Sequence, residues 1–157
     1  MGASRRRQRG GWWVVGQFAL ALGALGLGFV GPRWPAGSRP TLLAVAIALG
    51  VLAVVLLVVG SVNLGPALTP YPKPRDDAPL VDYGAYRFVR HPLYAGVLLT
   101  VLAWSLASSP LALLGALALF AYLDLKSSRE ERWLVERHPP YLDYRRRTRW
   151  KFLPGIR

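Results

Sequence analysis

The chain alternates uncharged apolar stretches with polar ones, and the apolar stretches are continuous runs, not periodic stripes. From Trp12 to Val30 the only strongly polar residue is Gln17, and from Thr41 to Val62 no charge occurs. Each run matches a helix that crosses roughly 30 Å of hydrocarbon. A third run extends from Leu93 to Ala107 and a fourth from Leu111 to Leu125, separated by Ser108, Ser109 and Pro110. These two are shorter, roughly 23 Å each as helices. They are expected to form a tight antiparallel hairpin, lengthened by polar residues at its cytoplasmic ends; a re-entrant hairpin is the alternative. Ala95, Gly96, Ala103, Gly115, Ala116 and Ala118 permit close helix contact there. No internal repeat is visible. The first run is expected to be a span and not a secretory signal, since no small-residue cleavage site leads into a soluble domain and more spans follow.

The pattern predicts an all-α polytopic membrane protein. It has four transmembrane helices, a C-terminal helical hairpin and a cytoplasmic helical tail. Residues 1–11 form a basic tail, 12–62 hold the first two spans, and 63–157 hold the last two spans and the C-terminal tail.

Composition agrees with this. Of 157 residues, 53% are hydrophobic, and the mean hydropathy is +0.28. Soluble domains are usually less apolar. There is no Cys, so disulfides, thiolate metal sites and Cys nucleophiles are excluded. With only His91 and His138, no metal site is expected.

Charge sets the orientation. The formal net charge is +12, but the basic residues all lie outside the apolar runs, so nucleic acid is not the expected partner. Lys and Arg number four, two, four, none and ten in the successive polar segments. The positive-inside bias places both termini and the middle loop in the cytoplasm. Basic juxtamembrane segments more often meet anionic lipid headgroups, so membrane lipids are expected partners. Trp12, Trp13 and Trp34 sit where interfacial belts are found.

All eight acidic residues lie on the cytoplasmic side of this topology. A site for polar chemistry therefore opens to the cytoplasm. Polar density peaks just before the third span and just after the fourth, and a hairpin makes Tyr86–Gly96 and Lys126–Leu134 neighbours. Pro92 suits a helix's first turn, and the free amides there favour an anionic group. Gly96, one turn on, leaves room for a flat ligand, and Tyr86 and Tyr94 offer rings and hydroxyls. Lys126 and Glu130, four apart, share a helix face. Taken singly, Arg87 and Arg90 are ordinary membrane anchors, Tyr94 a belt residue, and the acidic stretch a solvated helix. The combination is more informative.

That combination, Gly84-x-Tyr86-x-x-x-Arg90-His91-Pro92-x-Tyr94-x-Gly96 followed by Glu130-Glu131-x-x-Leu134, resembles the isoprenylcysteine carboxyl methyltransferase and phospholipid methyltransferase superfamily. Tyr141-Leu142-Asp143-Tyr144-Arg145-Arg146-Arg147 and Phe152-Leu153-Pro154 resemble its terminal segment. The likeness covers about residues 78 to 155. It implies methyl transfer from S-adenosylmethionine to a lipophilic or lipid-linked substrate at the cytoplasmic membrane face. It also implies a donor site of Leu80, Val81, Tyr86, His91, Pro92, Leu93, Tyr94 and Glu130, with Glu131 and Gly96 beside them. Lys126 stands where prenylcysteine enzymes carry a substrate-contacting Arg. Lys is a point charge without the planar fork that pairs a carboxylate, which weakens a prenylcysteine carboxylate as the acceptor. Lys126 and Arg147 are expected to face the substrate.

Such chemistry needs positioning and a dry site rather than a metal or a protein nucleophile. Arg90 or Lys126 would hold a carboxylate acceptor; Glu130, Glu131 or His91 would serve as base for an amine or hydroxyl. Two other readings compete: a non-catalytic membrane protein binding anionic lipid or a partner through its basic tail, and a steroid-reductase-like membrane enzyme using a nicotinamide cofactor. The Ala, Leu, Arg and Gly usage suits a bacterial inner or plasma membrane.

Overall fold

In the computed structural model, which describes residues 10–69 and 79–155, the apolar runs form helices and no strand occurs among the described residues. The basic tail at 1–9, the middle-loop charges Lys73, Arg75, Asp76 and Asp77, and residues 156–157 lie outside the described residues. Helix α1 spans Gly11–Val30 and α2 spans Arg39–Leu64, with Pro40 in its first turn. Short 3-10 turns follow at Gly65–Ala67 and Gly84–Arg87. Helix α3 is Pro92–Ser108, α4 is Ala112–Arg137 and α5 is Tyr141–Arg147.

Two of the four expected spans, α1 and α2, are long and apolar enough to cross a membrane, and α3 is a shorter apolar helix. Most of the apolar surface of α1 and α2 faces outward: Phe18, Leu22, Ile47, Val51 and Val54 are all exposed. In water such a surface is unfavourable, and it is the kind that meets a membrane. In α4 the apolar stretch ends at Leu125, and the same helix then carries Lys126–Leu134 onward as its polar second half.

The chain reverses between α3 and α4 at Ser109, whose hydroxyl accepts the Leu111 amide at 3.1 Å. The hairpin's closest contacts are nevertheless with the other helices: α3 packs most extensively on α2, and α4 on α1. The small residues follow suit. A Cβ at Gly115 would lie 2.6 Å from Ala24 Cα on α1, and one at Gly96 would lie 2.6 Å from Leu57 Cγ on α2. The core comprises Ala24, Ala95, Leu98, Val101, Leu119, Leu123 and Phe152.

The C-terminal segment departs from the expected helical tail. After α5 it turns back into the bundle as irregular chain. The Arg90 amide donates to the Trp150 carbonyl and the His91 amide to the Lys151 carbonyl, both at 2.9 Å. Phe152 is fully buried, and the Lys151 ammonium binds the Asp124 carboxylate and the Ser128 hydroxyl. An apolar anchor beside a basic residue that finds a carboxylate explains why the segment folds back instead of extending.

Candidate functional site

The residues before α3 are fixed from two sides. Asn63, near the end of α2, accepts the Ala85 amide on its Oδ1 at 2.9 Å. Its carbonyl accepts the Tyr83 hydroxyl at 3.0 Å. Gly84 between them has φ +60°, and a Cβ there would collide with the Asn63 side chain. A side chain is thus excluded both by conformation and by space. From the other side, Tyr144 donates its hydroxyl to the Tyr86 carbonyl at 2.7 Å, and Thr148 donates to the Arg87 carbonyl at 3.2 Å.

These braces position a buried ionic cluster. Arg90 Nε donates to Glu131 Oε1 at 2.7 Å, and its Nη1 donates to the carbonyls of Thr148 at 3.0 Å and Arg149 at 2.6 Å. His91 Nε2 lies 3.2 Å from the same Glu131 oxygen. Burial alone would raise the Glu131 pKa, but the hydrogen bonds and charges of His91 and Arg90 hold it down to about 2. A carboxylate so partnered stays ionised at any physiological pH.

Above this cluster lies a pocket with about 810 Å3 of empty space, its open mouth included. Its lining includes the polar and aromatic residues Tyr86, His91, Tyr94, Glu130, His138 and Tyr141 and the apolar residues Leu64, Leu68, Leu80, Val81, Leu93 and Leu134. Glu130 Oε2 accepts the Tyr94 hydroxyl at 2.8 Å and sits 4.0 Å from His91 Nδ1. The His91 and Tyr94 rings stack at 5.3 Å between centroids. Burial pushes the Glu130 pKa above its ordinary value, against the pull of His91, Tyr94 and Lys126. The Tyr141 hydroxyl is buried and is the one buried side-chain polar atom without a hydrogen-bond partner among the described residues. Burial also raises the pKa of Tyr86, Tyr141 and Tyr144, so all three remain hydroxyl donors.

Of the residues singled out from sequence, Leu80, Val81, Tyr86, Arg90, His91, Leu93, Tyr94 and Glu130 line this pocket. The others lie elsewhere. Pro92 is buried at the start of α3 without lining the pocket. Gly96 does not open space for a flat ligand; its bare Cα faces Leu57 and the Ala53 carbonyl on α2, where it lets two helices touch. Glu131 does not line the pocket; it pairs with Arg90, whose guanidinium is occupied by Glu131 and two carbonyls. Arg147 meets Asp82 at 3.3 Å on the surface. Lys126 is only 1% exposed; its Nζ donates to Gln17 on α1 at 2.6 Å. The polar lining residues Thr69, His138, Tyr141 and Tyr144 were not expected as site residues. Tyr141 and Tyr144, three residues apart, share one face of α5, a signal present in the tail.

The donor set fits S-adenosylmethionine. That molecule offers two cationic centres for Glu130, a flat ring for the apolar and aromatic walls, and acceptors for the free Tyr141 hydroxyl. Fold and site together define a helical membrane protein with a half-apolar, half-polar pocket where its bundle turns polar. Residues 45–136 match the isoprenylcysteine carboxyl methyltransferase (ICMT) family, and the chain belongs to that family. It is also similar to the cobalt-zinc-cadmium resistance protein CzcN of Cupriavidus metallidurans, with 37% identity over 145 residues. The matched part is 91% of this chain and 62% of that protein, so the chain spans less than two thirds of that relative's length.

Proposed function

We propose that this protein transfers a methyl group from S-adenosylmethionine to a lipophilic acceptor at the cytoplasmic face of a membrane. Four helices cross that membrane, leaving both termini in the cytoplasm. The observation that carries the reading is the Glu130 carboxylate, held by Tyr94 beside His91 in a pocket whose lining is otherwise largely apolar and aromatic. Membership of the ICMT family supports it.

When bound, S-adenosylmethionine supplies a methyl group on a sulfonium that leaves as a neutral thioether. The chain's own residues position and enclose. Glu130 offers a carboxylate to the sulfonium, Tyr86 and Tyr94 offer ring faces, and the Tyr141 hydroxyl donates a hydrogen bond. Leu64, Leu68 and Leu93 supply apolar lining for a lipophilic acceptor. The enclosure excludes water from the acceptor, which leaves alignment as the main source of rate.

The relative's name concerns metal resistance. Among the described residues, no group of three His, Asp or Glu is placed to hold a metal ion.

The test is to incubate membranes containing the full chain with methyl-labelled S-adenosylmethionine and follow label into the organic-extractable fraction. Wild-type membranes should label it, and Glu130→Ala membranes should fall to the level of membranes lacking the protein. No label above that background from wild type would overturn the proposal.

A further inference from the structure

Gln17 is the one strongly polar residue in α1, and Lys126 is the first polar residue after the apolar half of α4. The two meet. Lys126 Nζ lies 2.6 Å from Gln17 Oε1 and 5.0 Å from the centroid of the Tyr94 ring, over its face. Tyr94 in turn donates its hydroxyl to Glu130 Oε2 at 2.8 Å. A buried ammonium is costly unless it is paired, so a Lys held at 1% exposure by an amide and a ring face is placed, not left over. It does not line the pocket, where it would have held an acceptor's carboxylate.

We infer that Lys126 is a positioning residue of the donor site: fixed by Gln17 against the Tyr94 ring, it keeps the Glu130 carboxylate ionised and aimed at a cationic ligand. The inference rests on the reading of the pocket as an S-adenosylmethionine site. Glu130 is faced by His91 and Tyr94 from α3, Tyr86 from the 3-10 turn, Tyr141 from α5, and Lys126 and Glu131 on its own helix. Of these, His91, Tyr94 and Lys126 favour its ionised form, whereas burial and Glu131 oppose it. Lys126 therefore helps offset what burial would otherwise do to the Glu130 carboxylate in the pocket lining.

S-adenosylmethionine and S-adenosylhomocysteine distinguish this role, because they differ by one methyl group and the sulfonium charge. The detergent-purified full chain is titrated with each between pH 5 and 9, as wild type, Lys126→Met and Lys126→Arg. In Lys126→Met, S-adenosylmethionine binding should weaken about tenfold on the acid side of its pH profile, where Glu130 takes up its proton earlier without the ammonium. S-adenosylhomocysteine should change less than about twofold. The pH midpoint of S-adenosylmethionine binding should rise by about one, and Lys126→Arg should restore it. Equal weakening of both ligands with an unmoved midpoint would show a merely structural role and overturn the inference, as would a wild-type profile in Lys126→Met. The ligand-free protein gives a second readout: the Glu130 carboxylate infrared band, assigned with Glu130→Gln, should titrate at higher pH in Lys126→Met. If wild type binds neither ligand, the reading of the pocket fails, and the infrared titration still decides whether Lys126 sets the charge of Glu130. Should Lys126→Met not fold, Gln17→Leu carries the test, with a shift in the same direction expected and an unmoved midpoint refuting it.

Discussion

Removing the Glu131 side chain should destabilise this protein severely, because it leaves a buried charge without its counter-charge. Arg90 is 8% exposed and Glu131 6%. In Glu131→Ala, Arg90 keeps the carbonyls of Thr148 and Arg149 but loses its counter-charge, and His91 loses its Nε2 partner. Breaking a buried pair from one side typically costs about 3–5 kcal/mol. The two remaining carbonyl acceptors argue for the lower end. An independent route gives the same size: a carboxyl held at about 2 instead of 4.5 corresponds to about 3 kcal/mol. The sign is fixed by the lowered pKa. The contribution is fully present above pH 4.5 and is lost as pH falls toward 2. Guanidinium unfolding in mild detergent, followed by Trp fluorescence at pH 7 and pH 3, measures both. Wild type should exceed Glu131→Ala by about 3 kcal/mol at pH 7 and by clearly less at pH 3. A difference under about 1 kcal/mol at pH 7, or one unchanged by acid, would refute the cluster's structural role.

Tyr141→Phe removes a buried hydroxyl that has no partner. It should leave ligand-free stability unchanged or raise it by about 1 kcal/mol, while weakening S-adenosylmethionine binding about tenfold by calorimetry. Gly115→Val drives a side chain into the Ala24 backbone; overpacking of this kind should cost about 1–3 kcal/mol in thermal or denaturant unfolding. The same substitution at Gly26, where a Cβ meets nothing within 4 Å, should cost far less.

The helical class was legible because long uncharged runs admit few other structures, and the site's main segments were legible because hairpin topology forces them together. Three features were not. The tail looked helical, but nothing local showed that Phe152 would find a cavity among Leu98, Leu119 and Leu123. Its return, pairing Trp150 and Lys151 with Arg90 and His91, is a long-range event invisible to periodicity. Gly96 looked like an opening for a ligand because a glycine one turn into a helix serves either purpose; only the direction of its missing Cβ, toward Leu57, separates them. Arg90 and Lys126 looked available because charge at a membrane interface is usually solvated. Their partners, the Thr148 and Arg149 carbonyls and Gln17, lie 58, 59 and 109 residues away in sequence.

The most direct measurement of the central claim is calorimetric titration of S-adenosylmethionine and S-adenosylhomocysteine into the folded, detergent-purified full chain, beside Glu130→Gln. The account predicts saturable one-site binding of both by wild type, with a larger loss for S-adenosylmethionine than for S-adenosylhomocysteine in Glu130→Gln. Absence of binding heat for either ligand at every temperature tested, with a folded protein, would contradict it.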